Sequence, residues 1–261
     1  MSEVISIANQ KGGVGKTTTA VNLAASLAAS EKKVLLVDID PQANATSGFG
    51  FNRSDYEYNI YHVLLDIKDI SDVRLKTSME NLDLVPSNIG LVGIEKEFYD
   101  KDVKGKELIL KNKLVEVVSE YDYVIIDTPP ALGPITVNAL SASDSIIIPI
   151  QCEFYALEGL AQLLNTVKLI KKTINPKLSI KGFLPTMYSS QNNLSKQVFS
   201  DLKQHFKSKL FVENESSSYI VIPRNIKLAE SPSFGKPIIE YDIKSQGSRA
   251  YQNLAQSILA S

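Results

Sequence analysis

Lys11-Gly12-Gly13-Val14-Gly15-Lys16-Thr17-Thr18 follows an apolar run at residues 4–8 and opens directly into Thr19-Ala20-Val21-Asn22-Leu23, a helical pattern. A glycine-rich turn between a strand and a helix lets backbone N–H groups and a helix N-terminus converge on an anion. In that setting Lys16 can neutralise the outer phosphates of a nucleotide, and the Thr17 hydroxyl is placed to ligate Mg²⁺. The loop departs from the general pattern G-x-x-x-x-G-K-[ST] in one place. Gln10 stands five positions before Gly15, where the pattern has glycine, and Lys11 adds a second ammonium. That extra charge must either share the same phosphates or serve another molecule's site.

Outward from the loop, short β-branched runs alternate with longer helical patterns, which predicts βαβ units and a parallel sheet. Strands are expected at residues 4–8, 33–38, 82–85, 123–127, 145–150, 180–185 and 219–222, and helices near 17–30, 105–119, 157–173, 194–207 and 248–260. Residues 49–99 carry the least readable pattern. No linker, repeat or low-complexity tract divides the chain. The expectation is an α/β fold in which residues 1–261 form a single domain, a mostly parallel twisted sheet with helices on both faces.

Two strands end in carboxylates. Val34-Leu35-Leu36-Val37-Asp38-Ile39-Asp40 brings two aspartates to the carboxyl edge of the sheet, and Val124-Ile125-Ile126-Asp127 brings a third. Open α/β sheets bind ligands at that edge. Beside a magnesium nucleotide, Asp38, Asp40 and Asp127 can hold the metal, directly or through water, or orient an attacking water.

The chain has 261 residues, 44% of them hydrophobic, and a net charge of −1. No apolar run is long enough to span a bilayer, and the first residues do not form a secretory signal. One cysteine, Cys152, excludes an intrachain disulfide, and a cytoplasmic location is expected. The charge is unevenly distributed. Residues 168–249 contain 14 Lys+Arg against 6 Asp+Glu, a local balance of +8. Such a half can offer an anionic partner a face, or be a scatter of solvated lysines.

Together these motifs resemble the deviant Walker A ATPases, and within them the ParA/Soj chromosome-partitioning type. The matching blocks are Lys11 to Thr18, Asp38-Ile39-Asp40-Pro41-Gln42-Ala43-Asn44, Asp127-Thr128-Pro129-Pro130, Val221-Ile222-Pro223-Arg224-Asn225, and Leu228 to Pro237. The resemblance implies an ATPase that uses ATP and Mg²⁺ and forms a homodimer with ATP. Lys11 would reach across a nucleotide sandwich to the partner's phosphates. Gly12, Gly13, Val14, Gly15, Lys16, Thr17 and Thr18 would cradle the triphosphate, with Thr17 on the metal. Lys11, Lys16 and Asp40 would serve catalysis, Asp40 by positioning the hydrolytic water. Asp127 would contact Mg²⁺ through water, Asp38 would stand with it at the metal, and Pro223 and Asn225 would contact the base.

The same resemblance implies non-specific double-stranded DNA as partner, a nucleoid-associated location, and hydrolysis stimulated by a ParB-type centromere-binding protein. On the helix at 194–207, Lys196, Lys203 and Lys207 fall on one stripe, with Leu194, Val198, Leu202 and Phe206 expected toward the core. The stripe is either a DNA contact or a solvated face. Many relatives have an arginine where this chain has Ser189-Ser190-Gln191, so Lys196, Lys203, Lys227, Lys236 and Lys244 are the DNA candidates. A membrane-positioning ATPase is the rival reading, and it would end in a basic amphipathic helix. The last helix has no Lys or Arg after Arg249, so no membrane partner is expected. A P-loop kinase or synthetase is a further alternative.

Overall fold

The stretches Val34–Asp38 and Leu82–Val85 are buried at every position. Strands with no solvent face need a layer of helices on either side. The computed structural model, which describes residues 2–100, 105–153, 158–214 and 216–261, has that arrangement. Its strands are β1 (Glu3–Ile7), β2 (Val34–Asp38), β3 (Leu75–Lys76), β4 (Leu82–Val85), β5 (Tyr123–Asp127), β6 (Ser145–Gln151) and β7 (Ser179–Thr186). They form one sheet in the order β3-β4-β2-β5-β1-β6-β7. Every pairing is parallel except the short β3–β4 edge.

The helices are α1 (Lys16–Ala29), α2 (Asn44–Gly48), α3 (Ile60–Leu64), α4 (Ile70–Val73), α5 (Ile94–Asp100), α6 (Ile109–Val115), α7 (Pro134–Ala142), α8 (Glu158–Thr173), α9 (Asn193–Phe206), α10 (Ile226–Glu230), α11 (Ile238–Tyr241) and α12 (Gln246–Leu259). The two-residue period of β2 sends Val34 and Leu36 to one face and Leu35 and Val37 to the other. On the first face α1 lies against α12, with Leu23, Leu27, Tyr251 and Leu254 fully buried. Thr19 Oγ1 and the Tyr251 hydroxyl share a hydrogen bond of 3.2 Å there. The second face is covered by α3 to α7 over β2 and β5, and by α8 and α9 over β6 and β7.

The direction of winding reverses at β1. β5 and β2 lie on one side of it and β6 and β7 on the other, so a crevice opens at its carboxyl end. The Lys11–Thr18 loop leaves β1 at that crevice.

Several expected elements take a different form. The helix expected at 105–119 is broken into a 3₁₀ turn at Lys106–Leu108, α6, and a second 3₁₀ turn at Val118–Glu120. Val115, Val117 and Val118 are β-branched, disfavour continuation of the helix, and lead into β5. Residue 157, expected to open α8, is outside the described residues. Residues 219–222 are not a sheet strand. Ile220 N donates to Phe211 O, Ile222 N to Pro185 O, and Tyr188 N to Ile222 O. With partners that change from residue to residue, no continuous ladder forms. Leu194, expected in the core, is exposed, because it lies in the first turn of α9 ahead of the packed residues Val198 and Leu202.

Gly235 shows where backbone packs on backbone. It has φ +61 and lies against Gly50, φ +82, so closely that an added Cβ would fall on the Gly50 Cα. Gly235→Ala is expected to destabilise the fold by about 2–3 kcal/mol, from left-handed strain plus a displaced backbone. A urea titration with a lower midpoint and an unchanged slope would show it.

Candidate active site

The chain leaves β1 at Ile7 and enters α1 at Lys16. Gly13 and Gly15 have φ +72 and +86, and Gly15 is the residue before the first helical turn. A side chain on Gly13 would meet open space, so the backbone angle is what calls for glycine there. No side chain caps this end of α1 and its first turn holds no acid. The first amides of the helix are therefore available to a ligand anion.

Hydrogen bonds from neighbouring strands fix the loop. Asn9 Oδ1 accepts from Lys11 N (3.0 Å), and Asn9 Nδ2 donates to Pro149 O (2.7 Å). Thr186 Oγ1 donates to Val14 O (2.8 Å). Gln10 Nε2 donates to Gln162 Oε1 (2.8 Å). The two loop lysines differ sharply. Lys16 is buried, and its Nζ donates back across the loop to Lys11 O (3.1 Å). Burial lowers its pKa, against the raising pull of Asp127 and Asp40. Lys11 is half-buried, and its ammonium has no partner among the described residues.

The register of β2 on β5 sets Asp38 beside Asp127, and that of β1 on β5 sets Ile7 beside Asp127. Both carboxylates are fully buried, yet their surroundings differ. Asp38 Oδ2 accepts from the amide and the hydroxyl of Thr46 (2.9 and 2.8 Å), and its Oδ1 accepts from Asp40 N (3.0 Å). Burial pushes Asp38 up to about 6, with those hydrogen bonds acting against the rise. Neither oxygen of Asp127 has a hydrogen bond of ordinary geometry. Burial, then the charge of Asp38, hold its carboxyl well above the usual range, while the nearby Thr17 hydroxyl and Lys16 pull it down.

Two orphaned buried oxygens beside the Thr17 hydroxyl fit a magnesium ion reached through its waters. Asp38 differs in that three donors within the subunit already engage it, so it braces the loop bearing Asp40. Asp40 is itself fixed, with Oδ1 accepting from Gln42 N (2.9 Å).

Beside the phosphate loop lies a cavity of about 290 Å³, lined by Gly15, Thr18, Thr186, Met187, Pro223, Asn225 and Tyr251, among others. Pro223 is placed by a short bridge to Tyr188, in which Arg224 N donates to Tyr188 O (3.0 Å). Asn225 Oδ1 accepts from Leu228 N (3.2 Å), which caps α10. The expected loop and base residues are thus together. Thr46, Thr186, Met187 and Tyr251 carry no site signature in the sequence motifs. Thr186-Met187 gave a usable signal, polar residues following an apolar strand at the ligand edge, whereas Tyr251 reads in sequence as ordinary helix core.

The lysines expected at DNA do not form one class. Lys196, Lys203, Lys236 and Lys244 are exposed. Lys203 Nζ lies 5.0 Å from the Tyr219 ring centroid and 5.7 Å from that of Phe199. Lys227 is paired with Glu230 at 3.1 Å, so it has least to offer a phosphate.

The sheet, the glycine loop and the carboxylate edge define a P-loop nucleotide-binding protein. A family model described as an AAA domain matches residues 2–180. The chain is 51% identical over 260 residues to the sporulation initiation inhibitor protein Soj of Bacillus subtilis, covering 100% of this chain and 99% of that protein. It is 46% identical over 259 residues to the chromosome partitioning protein ParA of Myxococcus xanthus, covering 99% and 88%. Among solved structures, cobyrinic acid a,c-diamide synthase of Mycobacterium smegmatis with bound ATP analogue and magnesium matches with a TM-score of 0.84 at 34% identity, covering 99% and 95%. The chain belongs to the ParA/Soj family of chromosome-partitioning ATPases.

Asp127 gives a prediction with a definite sign. A carboxyl raised above its unfolded value penalises the fold where it must ionise, at neutral and alkaline pH, and the penalty fades as pH falls. Asp127→Asn is therefore expected to stabilise the nucleotide-free protein by about 1–2 kcal/mol, partly offset by the charge Lys16 loses. Thermal denaturation at about pH 8 and about pH 6 should show this advantage shrinking on acidification. The same variant should lose the part of ATP-induced stabilisation that depends on Mg²⁺.

Proposed function

We propose that this chain is an ATP-switched partitioning protein that dimerises on ATP, binds DNA as a dimer and resets on hydrolysis. The contrast between the two loop lysines carries the reading. Lys16 is buried and tied within its own subunit, whereas the Lys11 ammonium at the same loop has no partner among the described residues. A second ammonium so placed can answer phosphates across a dimer interface, which links γ-phosphate occupancy to association as an arginine finger does.

Within one subunit, the amides of Gly12 to Thr18 and the Lys16 ammonium hold the triphosphate. Thr17 and Asp127 hold magnesium, which supplies charge neutralisation at the phosphates. Asp40, fixed at the end of its loop, orients the water. The adenine base lies in the cavity of Pro223 and Asn225. Support for ATP and Mg²⁺ comes from the mycobacterial structure, which holds an ATP analogue and magnesium. Non-sequence-specific DNA is the ligand for the exposed lysines Lys196, Lys203, Lys236 and Lys244. A ParB-type protein is the partner that hastens hydrolysis, and the nucleoid is the place of action. No helix among the described residues is long and apolar enough to cross a membrane.

Lys11→Ala is expected to bind ATP normally and to remain monomeric by light scattering, whereas Asp40→Ala should accumulate as an ATP dimer retained on DNA. A Lys11→Ala dimer indistinguishable from wild type would sink the reading. In DNA titrations, Lys196→Ala/Lys203→Ala should flatten the dependence of log affinity on log salt by about 0.9 for each phosphate contact removed. An unchanged slope would return these lysines to solvent.

A further inference from the structure

Thr46 lies in α2, behind the loop that bears Asp40, and is 1% exposed. Its hydroxyl accepts a hydrogen bond from Ser87 N (3.0 Å) and donates one to Asp38 Oδ2 (2.8 Å). The direction is forced. An amide N–H can only donate, so the hydroxyl turns a lone pair to Ser87 and its proton to Asp38. Thr46 N gives the same carboxylate oxygen a second bond (2.9 Å).

These bonds replace a cap that α2 lacks. The residue before α2 is Ala43, at φ +54, and no side chain there caps the helix. Asp38 caps it from the strand end instead, by accepting the amide of Thr46. With its other oxygen Asp38 accepts Asp40 N (3.0 Å). Asp40 and Thr46 are thus pinned to opposite oxygens of one immobile carboxylate. The pin extends outward. Tyr56 donates its hydroxyl proton to Ser87 O (2.7 Å), holding the turn after β4 whose amide orients Thr46. Asp38, Thr46 and Ser87 are all buried, so water is a poor substitute for any missing partner.

We propose that Thr46 is a positioning residue for ATP hydrolysis, fixing Asp40 against the attacking water through Asp38. The inference rests on the ATPase reading of the site and on Asp40 as the residue that orients water. Thr46 itself touches neither. Removing its hydroxyl leaves Asp38 with one fewer donor and strands the Ser87 amide, so the Asp40 loop and the turn after β4 lose their common pin. A small displacement of a water-orienting group slows the chemical step without weakening substrate binding.

The test uses the full chain, with Mg²⁺-ATP turnover measured for wild type, Thr46→Val, which keeps the shape without the hydroxyl, and Thr46→Ser, which keeps the hydroxyl. Thr46→Val is expected to lower kcat by about tenfold or more while KM stays within about twofold. It should also accumulate an ATP-bound dimer, as Asp40→Ala does, and Thr46→Ser should recover most of the rate. A residue that merely holds the fold would raise KM along with the loss of kcat, or leave kcat intact, and either result overturns the proposal. If Thr46→Val cannot be recovered folded, Tyr56→Phe, at a partly exposed position, takes its place. There a fall in kcat of about threefold at constant KM is expected, and an unchanged kcat overturns the proposal. A wild-type chain that hydrolyses no ATP would instead overturn the ATPase reading itself, a failure seen before any variant is compared.

Discussion

Two carboxylates and an ammonium are buried together where β2 and β5 end and α1 begins, and the rest of the site depends on how that charge is held. Burying a charge is expensive unless hydrogen bonds or an opposite charge compensate it. Asp38 is compensated by three donors from its own subunit, and Lys16 by a carbonyl and by nearby acids. Asp127 is less fully compensated, because neither oxygen has a hydrogen bond of ordinary geometry among the described residues and only the nearby Thr17 hydroxyl and Lys16 act on it. Such an arrangement survives only on a rigid support. The parallel pairing of β5 with both β1 and β2 supplies it, since Asp127 sits on the strand that both neighbours clamp. The stored cost has a direction. It would be relieved by a cation, and in the proposed function that cation is magnesium.

The same economy of charge separates the two lysines of the loop. An ammonium drawn into the subunit and bonded to a carbonyl can serve only its own nucleotide. One left without a partner can be claimed from outside. In the proposed switch, the free energy of ATP binding is shared with association because one lysine is kept back from the internal network. The bond from Lys11 N to Asn9 Oδ1 is part of that arrangement, since it fixes the backbone of Lys11 while its ammonium has no partner among the described residues. Backbone order with side-chain freedom reduces the entropy that a contact across an interface would cost.

How far the sequence could be read follows from the range of the forces involved. The Gly-Lys-Thr loop, the strand before it and the aspartates at the ends of β2 and β5 are local patterns, and the structure places them where the periodicity indicates. Residues 219–222 misled because β-branched composition marks a chain that prefers to be extended, not one that finds a continuous neighbour. The broken helix at 105–119 misled because its apolar spacing is helical while its valines disfavour the last turns. The different part of Asp38 could not be read at all. Nothing in Asp38-Ile39-Asp40 says which aspartate will be satisfied internally, because the answer lies with Thr46, and the orientation of Thr46 lies with Ser87 in the turn after the neighbouring strand β4. Tyr251 is similar. It is core by pattern and becomes a wall of the cavity beside the phosphate loop only because α12 lies along α1.

A count of charges is a weaker guide than their pairing. The half of the chain with a balance of +8 looks uniformly basic in sequence, but its lysines have different fates. Lys181 is bonded to Glu3 at 2.8 Å, Lys227 to Glu230, and Lys209 donates to Ile180 O. The two ion pairs partly cancel the charge of Lys181 and Lys227, whereas the carbonyl fixes Lys209 without neutralising it. Lys196, Lys236 and Lys244 are exposed without such partners among the described residues, and Lys203 rests over the aromatic pair Phe199 and Tyr219. Stacking restricts Lys203 to a narrow range of positions without neutralising it, which makes its charge a fixed rather than a diffuse feature of the α9 surface. The basic face is therefore smaller than the composition suggests but better defined. A polyanion that binds by counterion release responds to the number of ammonium groups it can meet at once. In the proposed switch, doubling a small set of lysines through a dimer would raise that number in a single step, so that a surface too weak in one subunit would become a DNA-binding surface in two.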